Sequence, residues 1–393
     1  MSSRRNGSVL VVLVLVSAVL AALGASMLSV GYHARTRASR LADDMAARVA
    51  ADAGLTKAMH TLSTQFDAGT LNPAALPGET NASLPHFEGT FTYTIAAGPP
   101  GSYTLTSVGS FHNAQRTVEA VMRSGGMVHQ YAVFALQSLV LNNSAKINWY
   151  NNQPGDAPLQ IGTNSTGAGA IKLNNSAYIN GDVVVGAGGN PASVIQNNHG
   201  VYTGWAYAQS QNQEAPSVSV PAALVTGPSS GPIDNTRTIS TSGKYTKIDL
   251  GNSKRLTISG NVELYIAGTV TLGNSAEIRV NEGGSLVLYA NGNVTANNSS
   301  KFDNRTNDAT KLRILGTGNC TKITLHNSGN MYGVVYAPQA ALILHNSATV
   351  RGAITARTCE LNNSATLYYD ASLRAKPDPA LAGGLELASW REF

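Results

Sequence analysis

Residues 344–348 read LHNSA, and the same motif of an apolar residue, one further residue and then Asn-Ser recurs along the chain. Its near copies are LNNSA at 141, 173 and 361, LGNSA at 272, LGNSK at 250 and LHNSG at 325. Asn tolerates the left-handed backbone that tight corners use, and stacked corners let one Asn amide hydrogen-bond to the next. The motif therefore predicts the corner of a structural repeat.

The Asn-Ser motifs set a loose period after residue 127. The repeated asparagines are Asn143, Asn175, Asn252, Asn274, Asn298, Asn327, Asn346 and Asn363. From Asn252 onward the copies recur at uneven intervals of about 20 residues, as in solenoids, and apolar and polar residues alternate between them. The sequence therefore predicts a parallel β-helix over 127–373 with these asparagines at its corners, in preference to unrelated Asn-Ser turns.

Composition and charge also favour a β-rich body. The chain has 39 Gly, 12% charged and 6% aromatic residues, which suits short strands and turns. Its net charge of +5 arises at the front, because residues 1–60 hold seven Lys/Arg against three Asp/Glu and the remainder holds 20 against 19. The body lacks the basic stripe of a nucleic-acid surface, so no nucleic-acid partner is predicted.

The two cysteines, Cys320 and Cys359, are too few for a disulfide framework or a zinc site. They form either one bridge or two small buried apolar residues, and the second interpretation is favoured.

The front of the chain predicts a long helix. Residues 9–30 are uncharged and apolar, and as a helix they are long enough to cross the roughly 30 Å core of a membrane. A cleavable signal peptide is the alternative, although the apolar run is long for one. Residues 34–65 contain no proline and continue with an amphipathic helical pattern. This pattern is carried by Leu41, Met45, Val49, Leu55, Met59 and Leu62.

A basic leader ending at Gly7, the apolar span and AARVAADAGLTKAM (46–59) together resemble the N-terminal region of PilX-like type IV pilus assembly proteins over residues 4–62. The resemblance implies cleavage after Gly7 by prepilin peptidase, with Ser8 as the new N-terminus, and packing of the helix with other pilin-like subunits. Major pilins carry Glu at the fifth mature position, where this chain has Val12. Because a buried ammonium without a partner is costly, this favours a minor or tip subunit, or an uncut membrane anchor.

The remaining segments complete the predicted organisation. Residues 66–85 contain three prolines and predict a linker, and residues 86–97 and 101–124 alternate as strands of a small antiparallel sheet that is expected to cap the β-helix. Residues 186–243 break the rhythm, as a long excursion across the solenoid flank or a partly disordered segment, and a binding surface is an open alternative for this region. The domains predicted are 1–65, 66–126, 127–373 and a tail at 374–393. Residues 331–373 resemble the C-terminal β-helical repeats attached to PilX-like N-termini, and this resemblance covers roughly residues 127–373.

Candidate chemistry in the body is sparse. His326 and His345 occupy the same position in two successive copies of the motif and predict stacked imidazoles, which are too few ligands for a metal. Glu263 and Glu277 lie in adjacent predicted rungs, but solvated strand faces explain the scattered acidic residues better than a glycosidase pair. The glycine-rich stretches at 186 and 227 lack the strand-then-helix context of a phosphate loop. We predict no catalytic, cofactor or metal site.

The sequence as a whole predicts a mainly β fold with a long N-terminal transmembrane helix, a small antiparallel sheet and a parallel β-helix. The predicted function is structural, as a minor or tip subunit of a type IV pilus or type II secretion filament, with adhesion as a candidate role. The alternative is a membrane-anchored β-helix that binds or degrades surface polysaccharide. The expected partners are other pilin-like subunits, the inner membrane and surface glycans. The body is expected outside the cytoplasm, at the membrane or in a surface filament.

Overall fold

The computed structural model describes residues 6–67, 71–72, 75–98, 102–124, 129–150, 158–375 and 385–393. The fold is mainly β, with one long apolar helix at the N-terminus, a five-stranded antiparallel sheet and a 24-stranded parallel sheet wound as a solenoid. The predicted fold class is confirmed.

The two predicted helical segments form one continuous helix, α1 (Asn6–Asp67), of 62 residues. No proline interrupts it, and five of its serines and threonines donate their hydroxyl hydrogen bonds to a carbonyl one turn earlier, namely Ser17, Ser26, Thr36, Thr56 and Thr64. Short helices α2 (Pro191–Val194) and α3 (Ala222–Thr226) lie in the body, together with 3₁₀ turns at Ala309–Lys311 and Ala371–Ala375.

The described chain contains 29 strands. In chain order these are β1 (Glu79–Ser83), β2 (Thr90–Ala97), β3 (Ser102–Phe111), β4 (Ala114–Ser124), β5 (Val133–Leu141), β6 (Lys146–Trp149), β7 (Gln160–Thr163), β8 (Ile171–Asn174), β9 (Tyr178–Ile179), β10 (Asp182–Val185), β11 (Ile195–Asn198), β12 (Val201–Tyr202), β13 (Ala206–Ala208), β14 (Arg237–Ile239), β15 (Gly243–Tyr245), β16 (Ile248–Leu250), β17 (Arg255–Ile258), β18 (Asn261–Ile266), β19 (Val270–Leu272), β20 (Glu277–Val280), β21 (Ser285–Ala290), β22 (Val294–Ala296), β23 (Lys301–Asn304), β24 (Leu312–Gly316), β25 (Lys322–Leu325), β26 (Asn330–Leu344), β27 (Thr349–Leu361), β28 (Thr366–Tyr369) and β29 (Leu385–Glu392).

The small sheet has the order β1-β2-β3-β4-β29 and packs on the C-terminal half of α1. Leu55, Leu62 and Phe66 of the helix are buried against a core that includes Phe91 and Leu105 of the sheet. The expectation that this sheet caps the β-helix is therefore corrected, because its apolar face is occupied by the helix.

Two predicted boundaries also change. Within the predicted linker at 66–85, Glu79–Ser83 pairs with β2 as an edge strand. Within the predicted tail at 374–393, Leu385–Glu392 pairs antiparallel with β4 and completes the sheet. Strand β29 is held by backbone hydrogen bonds to β4 and not by burial of its side chains, since Leu387 and Trp390 are 52% and 45% exposed. The sequence of β29 therefore has little apolar alternation from which the strand could be predicted.

The solenoid has three strands per rung, and each strand stacks in parallel on its equivalent one rung away. We call the three faces A, B and C. In the rung at residues 255–272, β17 lies on face A, β18 on face B and β19 on face C, and these strands pair with β20, β21 and β22 of the next rung. Inward residues such as Leu256, Leu264 and Leu272 are fully buried. The alternation predicted from the sequence therefore builds a continuous apolar core.

The chain enters this solenoid in its middle. Strand β5 pairs with β27 on one side and with β7 and β8 on the other, and β28 pairs with β6. One rung is thus composite, with β28 on face A and β5 on faces B and C. The Tyr369 hydroxyl donates to the His129 carbonyl, and Tyr369 is fully buried at this junction. Strands β5 to β13 build the rungs from this composite rung to one end of the solenoid. Strands β14 to β28 build a second series of rungs from the other end back to the composite rung.

One crossing segment connects the two series along face B. Near its start, Gln213 donates its backbone N–H to the side-chain oxygen of Asn164 at 2.8 Å. Tyr336 then donates to the Pro216 carbonyl at 2.7 Å, and α3 lies beside β15 and β18 at the far end. The irregular segment is narrower than the predicted 186–243, because β11 to β13 and β14 extend the rungs into that range.

The body is therefore an insertion in the small sheet. The chain leaves the sheet after β4, forms the whole solenoid from β5 to β28, and returns as β29 beside β4. Two connections, not one, join the solenoid to the sheet that carries α1.

Candidate functional site

The N-terminal half of α1 is the first candidate site. Every described side chain from residue 10 to residue 35 is exposed, including Leu13 at 68%, Leu20 at 62% and Leu28 at 77%. Within the described chain, α1 is the one helix long and apolar enough to cross a membrane, a test that a signal sequence also passes. Such a surface is stable only in lipid or against other apolar helices.

The apolar surface continues past the span. Leu41, Met45 and Val49 are spaced at four-residue steps and are 63%, 68% and 54% exposed. The opposite face of the helix carries small residues, such as Ala47, Ala50 and Ala51, that are fully buried on the sheet. The large apolar residues of the predicted amphipathic pattern therefore divide, with the first three facing outward and Leu55 and Leu62 facing the sheet.

The predicted cleavage residues lie at the start of α1. Gly7 and Ser8 belong to its first turns, and Val12 is exposed further along the same helix. Cleavage at this point stays a prediction.

The structure stacks all eight predicted corner asparagines in one column between faces C and A. At each step the Ser N–H of one corner donates to the Asn carbonyl of the next, at 2.8 to 3.0 Å. These bonds join Ser253 to Asn274, Ser275 to Asn298, Ser299 to Asn327, Ser328 to Asn346, Ser347 to Asn363, Ser364 to Asn143 and Ser144 to Asn175. The column passes without a break from Asn363 to Asn143, although these residues are far apart in sequence.

Side-chain amides form a second ladder over part of this column. Asn346 donates to Asn327 at 2.5 Å, Asn363 donates to Asn346 at 2.6 Å, and Asn143 donates to Asn363 at 2.8 Å. Asn175 extends the ladder by donating to Asn143 at 2.9 Å. The ladder combines both chain series, so it ties the composite rung to its neighbours.

The backbone at the corners differs from the expectation in one respect. The serine after each asparagine takes the left-handed conformation in all the corners, with φ from 56° to 62°, whereas among the asparagines only Asn143, Asn175, Asn346 and Asn363 do. Serine therefore carries the left-handed turn at every corner. The sequence signal for this was the Ser present in every copy of the motif.

We expect Asn363→Ala to lower the free energy of unfolding by about 2 kcal/mol, since two ladder bonds are lost and Ala disfavours its φ of 50°. Asn252→Ala is the control. The Asn252 side chain accepts one hydrogen bond, from a backbone N–H at 2.9 Å, and the Asn252 backbone is not left-handed. Urea denaturation followed by circular dichroism measures both. Equal losses for the two variants would contradict a structural role for the amide ladder.

Outward columns on face A form the second candidate site. Residues three and five positions after a corner asparagine point outward, and one column contains Arg255, Glu277 and Lys301 while the next contains Arg279 and Asp303. This fixed offset is visible in the sequence. It places Glu277 and Asp303 in columns with basic residues, although the prediction from the sequence treats the acidic residues as scattered.

These columns carry an ion-pair network. Glu277, with a side chain only 9% exposed, lies 2.5 Å from Arg255 and 2.8 Å from Arg279. Asp303 lies 3.1 Å from Arg279 and 2.6 Å from Arg305. Burial by itself would raise the pKa of Asp303, but the hydrogen bond from Arg305 and the arginine charges outweigh it and hold the pKa below its usual value. Asp303 is therefore an ionised partner of arginines, unlike a general acid with a raised pKa.

The network continues into a cluster of aromatic and cationic side chains. The Tyr150 and Tyr332 rings have centroids 5.6 Å apart, and the Arg351 guanidinium lies 5.9 Å from the Tyr150 centroid. Arg351 also donates to the Asn330 amide oxygen at 3.1 Å. Tyr332 donates its hydroxyl to Asp370 at 3.1 Å. Burial, followed by the Asp370 charge, raises the pKa of Tyr332, so the hydroxyl stays protonated.

Two adjoining clefts run along this face and share Lys301 and Asp303. One, of about 330 Å³, lies among Arg255, Arg279 and Arg305. The other, of about 380 Å³, extends to Tyr150 and Arg351. We call the two together the face A groove.

Other predicted groups occupy simpler positions. His326 and His345 stack as expected, with centroids 5.1 Å apart and planes at 9°. In the described part of the chain no group of three His, Cys, Asp or Glu could hold a metal ion. Glu263 lies on face B and Glu277 on face A, so they form no pair. Cys320 and Cys359 are free and buried, and burial raises the pKa of Cys320 to about 11.

Comparisons with known proteins add limited information. A family model described as a domain of unknown function (DUF7305) matches residues 206–376, which is less than half of the chain and spans β13 to β28. No curated protein matches the sequence.

Several solved structures show a distant likeness. The competence-associated pilin ComZ from Thermus thermophilus is 13% identical, with a TM-score of 0.30, over 89% of this chain and 97% of that one. An ice-binding protein from the ascomycete Antarctomyces psychrotrophicus is 15% identical, with a TM-score of 0.31, over 61% and 95%. The ice-binding protein domain of Shewanella frigidimarina is 15% identical, also at 0.31, over 62% and 95%. With TM-scores near 0.3 these likenesses do not establish a shared fold.

Proposed function

We propose that this protein is a pilin-like structural subunit of the cell envelope. Its α1 inserts in the inner membrane or packs with the helices of other pilin-like subunits, and the solenoid is displayed outward. The observation that supports this is the division of one continuous helix, which is exposed from residue 10 to residue 35, apolar as far as residue 30, and has one face buried on an antiparallel sheet from Ala47 to Phe66.

The continuity of α1 explains why such a division suits a subunit of an assembly. A helix without proline is stiff over its length, so contacts made by the exposed half fix the position of the sheet that packs on the other half. The exposed stripe of Leu41, Met45 and Val49 extends the apolar contact surface beyond the membrane-spanning length. A simple membrane anchor has no need of this extension.

We further propose a minor or tip position, of the PilX-like kind, in a type IV pilus or type II secretion filament. Val12 stands where a repeating subunit would need a carboxylate for its neighbour's charged N-terminus. A single subunit at an end avoids most of the resulting cost of a buried unpaired charge. The proposal includes no catalytic activity.

N-terminal sequencing of the mature protein tests this function. In cells with prepilin peptidase we expect the mature chain to begin at Ser8 and to co-purify with filaments, and in cells without the peptidase we expect uncut chain. Gly7→Leu is the matched variant, and it should stay uncut in both strains. An N-terminus at Met1 in both strains, with no filament association, would refute the filament role.

The second candidate function is a membrane-anchored protein that binds surface polysaccharide. It is favoured by the face A groove, in which cations and tyrosines line a cleft along the outside of the solenoid. Such binding would supply adhesion if the subunit is at a filament tip. The arginine-paired carboxylates argue for binding rather than degradation.

A further inference from the structure

We propose that the face A groove binds an acidic polysaccharide. This inference rests on the proposed function in one respect, that the solenoid lies outside the cytoplasm where such polymers occur. The groove crosses several rungs, so it fits an extended ligand better than a small one.

The charge of the groove selects an anionic ligand. Its lining contains five cationic side chains, namely Arg255, Arg279, Lys301, Arg305 and Arg351, against the two carboxylates of Glu277 and Asp303. Three of the arginines are already paired with these carboxylates. Among the residues that the structure describes, neither Lys301 nor Arg351 lies within ion-pair distance of a carboxylate. The charges of these two cations are therefore available to an anionic ligand.

The spacing of the cations suits a linear polymer. The two available cations, Lys301 on β23 and Arg351 on β27, are separated by β26, and stacked strands repeat at about 4.8 Å along the solenoid axis. A ligand with acidic groups at intervals along its length could therefore meet them in turn. A compact anion would reach one of these two cations and leave the other unused.

The remaining groups favour sugars over nucleic acid. Asp303 and the Asn330 amide oxygen already accept hydrogen bonds from arginines, and their remaining lone pairs can accept from donors on a ligand. Sugar hydroxyls supply such donors, whereas a phosphodiester backbone has none. The Tyr150 and Tyr332 rings offer an amphipathic surface for the C–H face of a sugar ring.

A binding measurement on the purified full-length chain in detergent tests the proposal. The probes are polygalacturonate as the acidic polysaccharide, dextran as the neutral one, and single-stranded oligo-dT as the nucleic acid. We expect binding of polygalacturonate that weakens as sodium chloride is raised from low to high concentration, with no binding of dextran and weaker binding of oligo-dT.

The test variant is Lys301→Gln with Arg351→Gln, and the matched control is Lys172→Gln with Lys322→Gln, which removes the same charge from exposed positions on face C. We expect the test variant to weaken polygalacturonate binding by about tenfold or more, and the control to change it by less than about twofold. Circular dichroism of both variants checks that they fold, and competition by galacturonate oligomers on the unaltered protein gives a measurement that needs no variant.

Four outcomes would overturn the inference, and the first three concern the variant and the comparison of probes. They are unchanged affinity in the test variant, equal binding of dextran, and tighter binding of oligo-dT than of polygalacturonate. Absence of binding to all three probes at millimolar sugar would also overturn it. The assay is independent of leader cleavage, so an uncut Met1 chain that still binds polygalacturonate would refute the filament role and leave this inference standing.

Discussion

Replacing Gly352 with alanine is expected to lower the free energy of unfolding of the solenoid by about 3 kcal/mol or more. Gly352 lies on β27 with φ of 134°, a conformation that disfavours any side chain. A Cβ there would also lie 1.9 Å from the Gly333 carbonyl oxygen of the adjacent rung. Because that oxygen belongs to the stacked backbone, it cannot move aside as a flexible side chain would.

Hydrogen exchange by mass spectrometry measures this effect locally. We expect faster exchange in β26, β27 and β28, with exchange in the sheet on α1 unchanged. Gly318→Ala is the control, since a Cβ there meets nothing within 4 Å. If the amides of β26 to β28 are protected equally in the Gly352→Ala and Gly318→Ala proteins, the prediction is wrong. The adjacent rungs would then accommodate the added Cβ at little cost.

Replacing Gly109 with valine is expected to detach α1 from the sheet, at a cost of about 3 kcal/mol. Gly109 lies on β3, where a Cβ would stand 2.1 Å from the Ala47 carbonyl oxygen and 2.2 Å from the Ala51 nitrogen. The helix backbone rests directly on the strand at this point. Arg116 and His112 of the neighbouring hairpin pair with Asp44 and Asp43 of the helix, at 2.5 and 3.0 Å, and these partly exposed pairs are too weak to compensate.

Limited proteolysis of the full chain in detergent tests this second prediction. We expect early cleavage in the second half of α1 of the Gly109→Val protein while the solenoid stays resistant. Thr106→Val places valine on the opposite face of β3, where it replaces a threonine of similar size, and should behave like the unaltered protein. Resistance of α1 in both variants would show that the close approach of helix and strand is not required.

Much of the solenoid could be predicted because its rule is local. The Asn-Ser corner that recurs from rung to rung and the alternation between corners are both visible in the sequence. The same rule predicts the stacking of His326 on His345. It also contains the outward columns of face A, because the residues three positions after each corner asparagine share one column and the residues five positions after it share the next. The ion pair between Arg255 and Glu277 could have been found in this way.

The parts that could not be predicted depend on pairings between distant segments. Strand β29 is largely exposed on its outer side and is held by backbone bonds to β4. The Tyr150 and Arg351 contact joins residues from the two separate series of rungs. No periodicity along the chain encodes either contact.

The sequence by itself determined the types of structure in this protein: a proline-free apolar helix, alternating strands and Asn-Ser corners. Those features depend on backbone preferences and on the spacing of apolar residues, which act over short stretches of chain. The tertiary structure alone decided that the solenoid is entered in its middle and inserted between β4 and β29. All rungs present the same parallel edge, so any rung could in principle stack on any other. Which rungs meet is fixed by the crossing segment on face B and by the burial of Tyr369 at the composite rung.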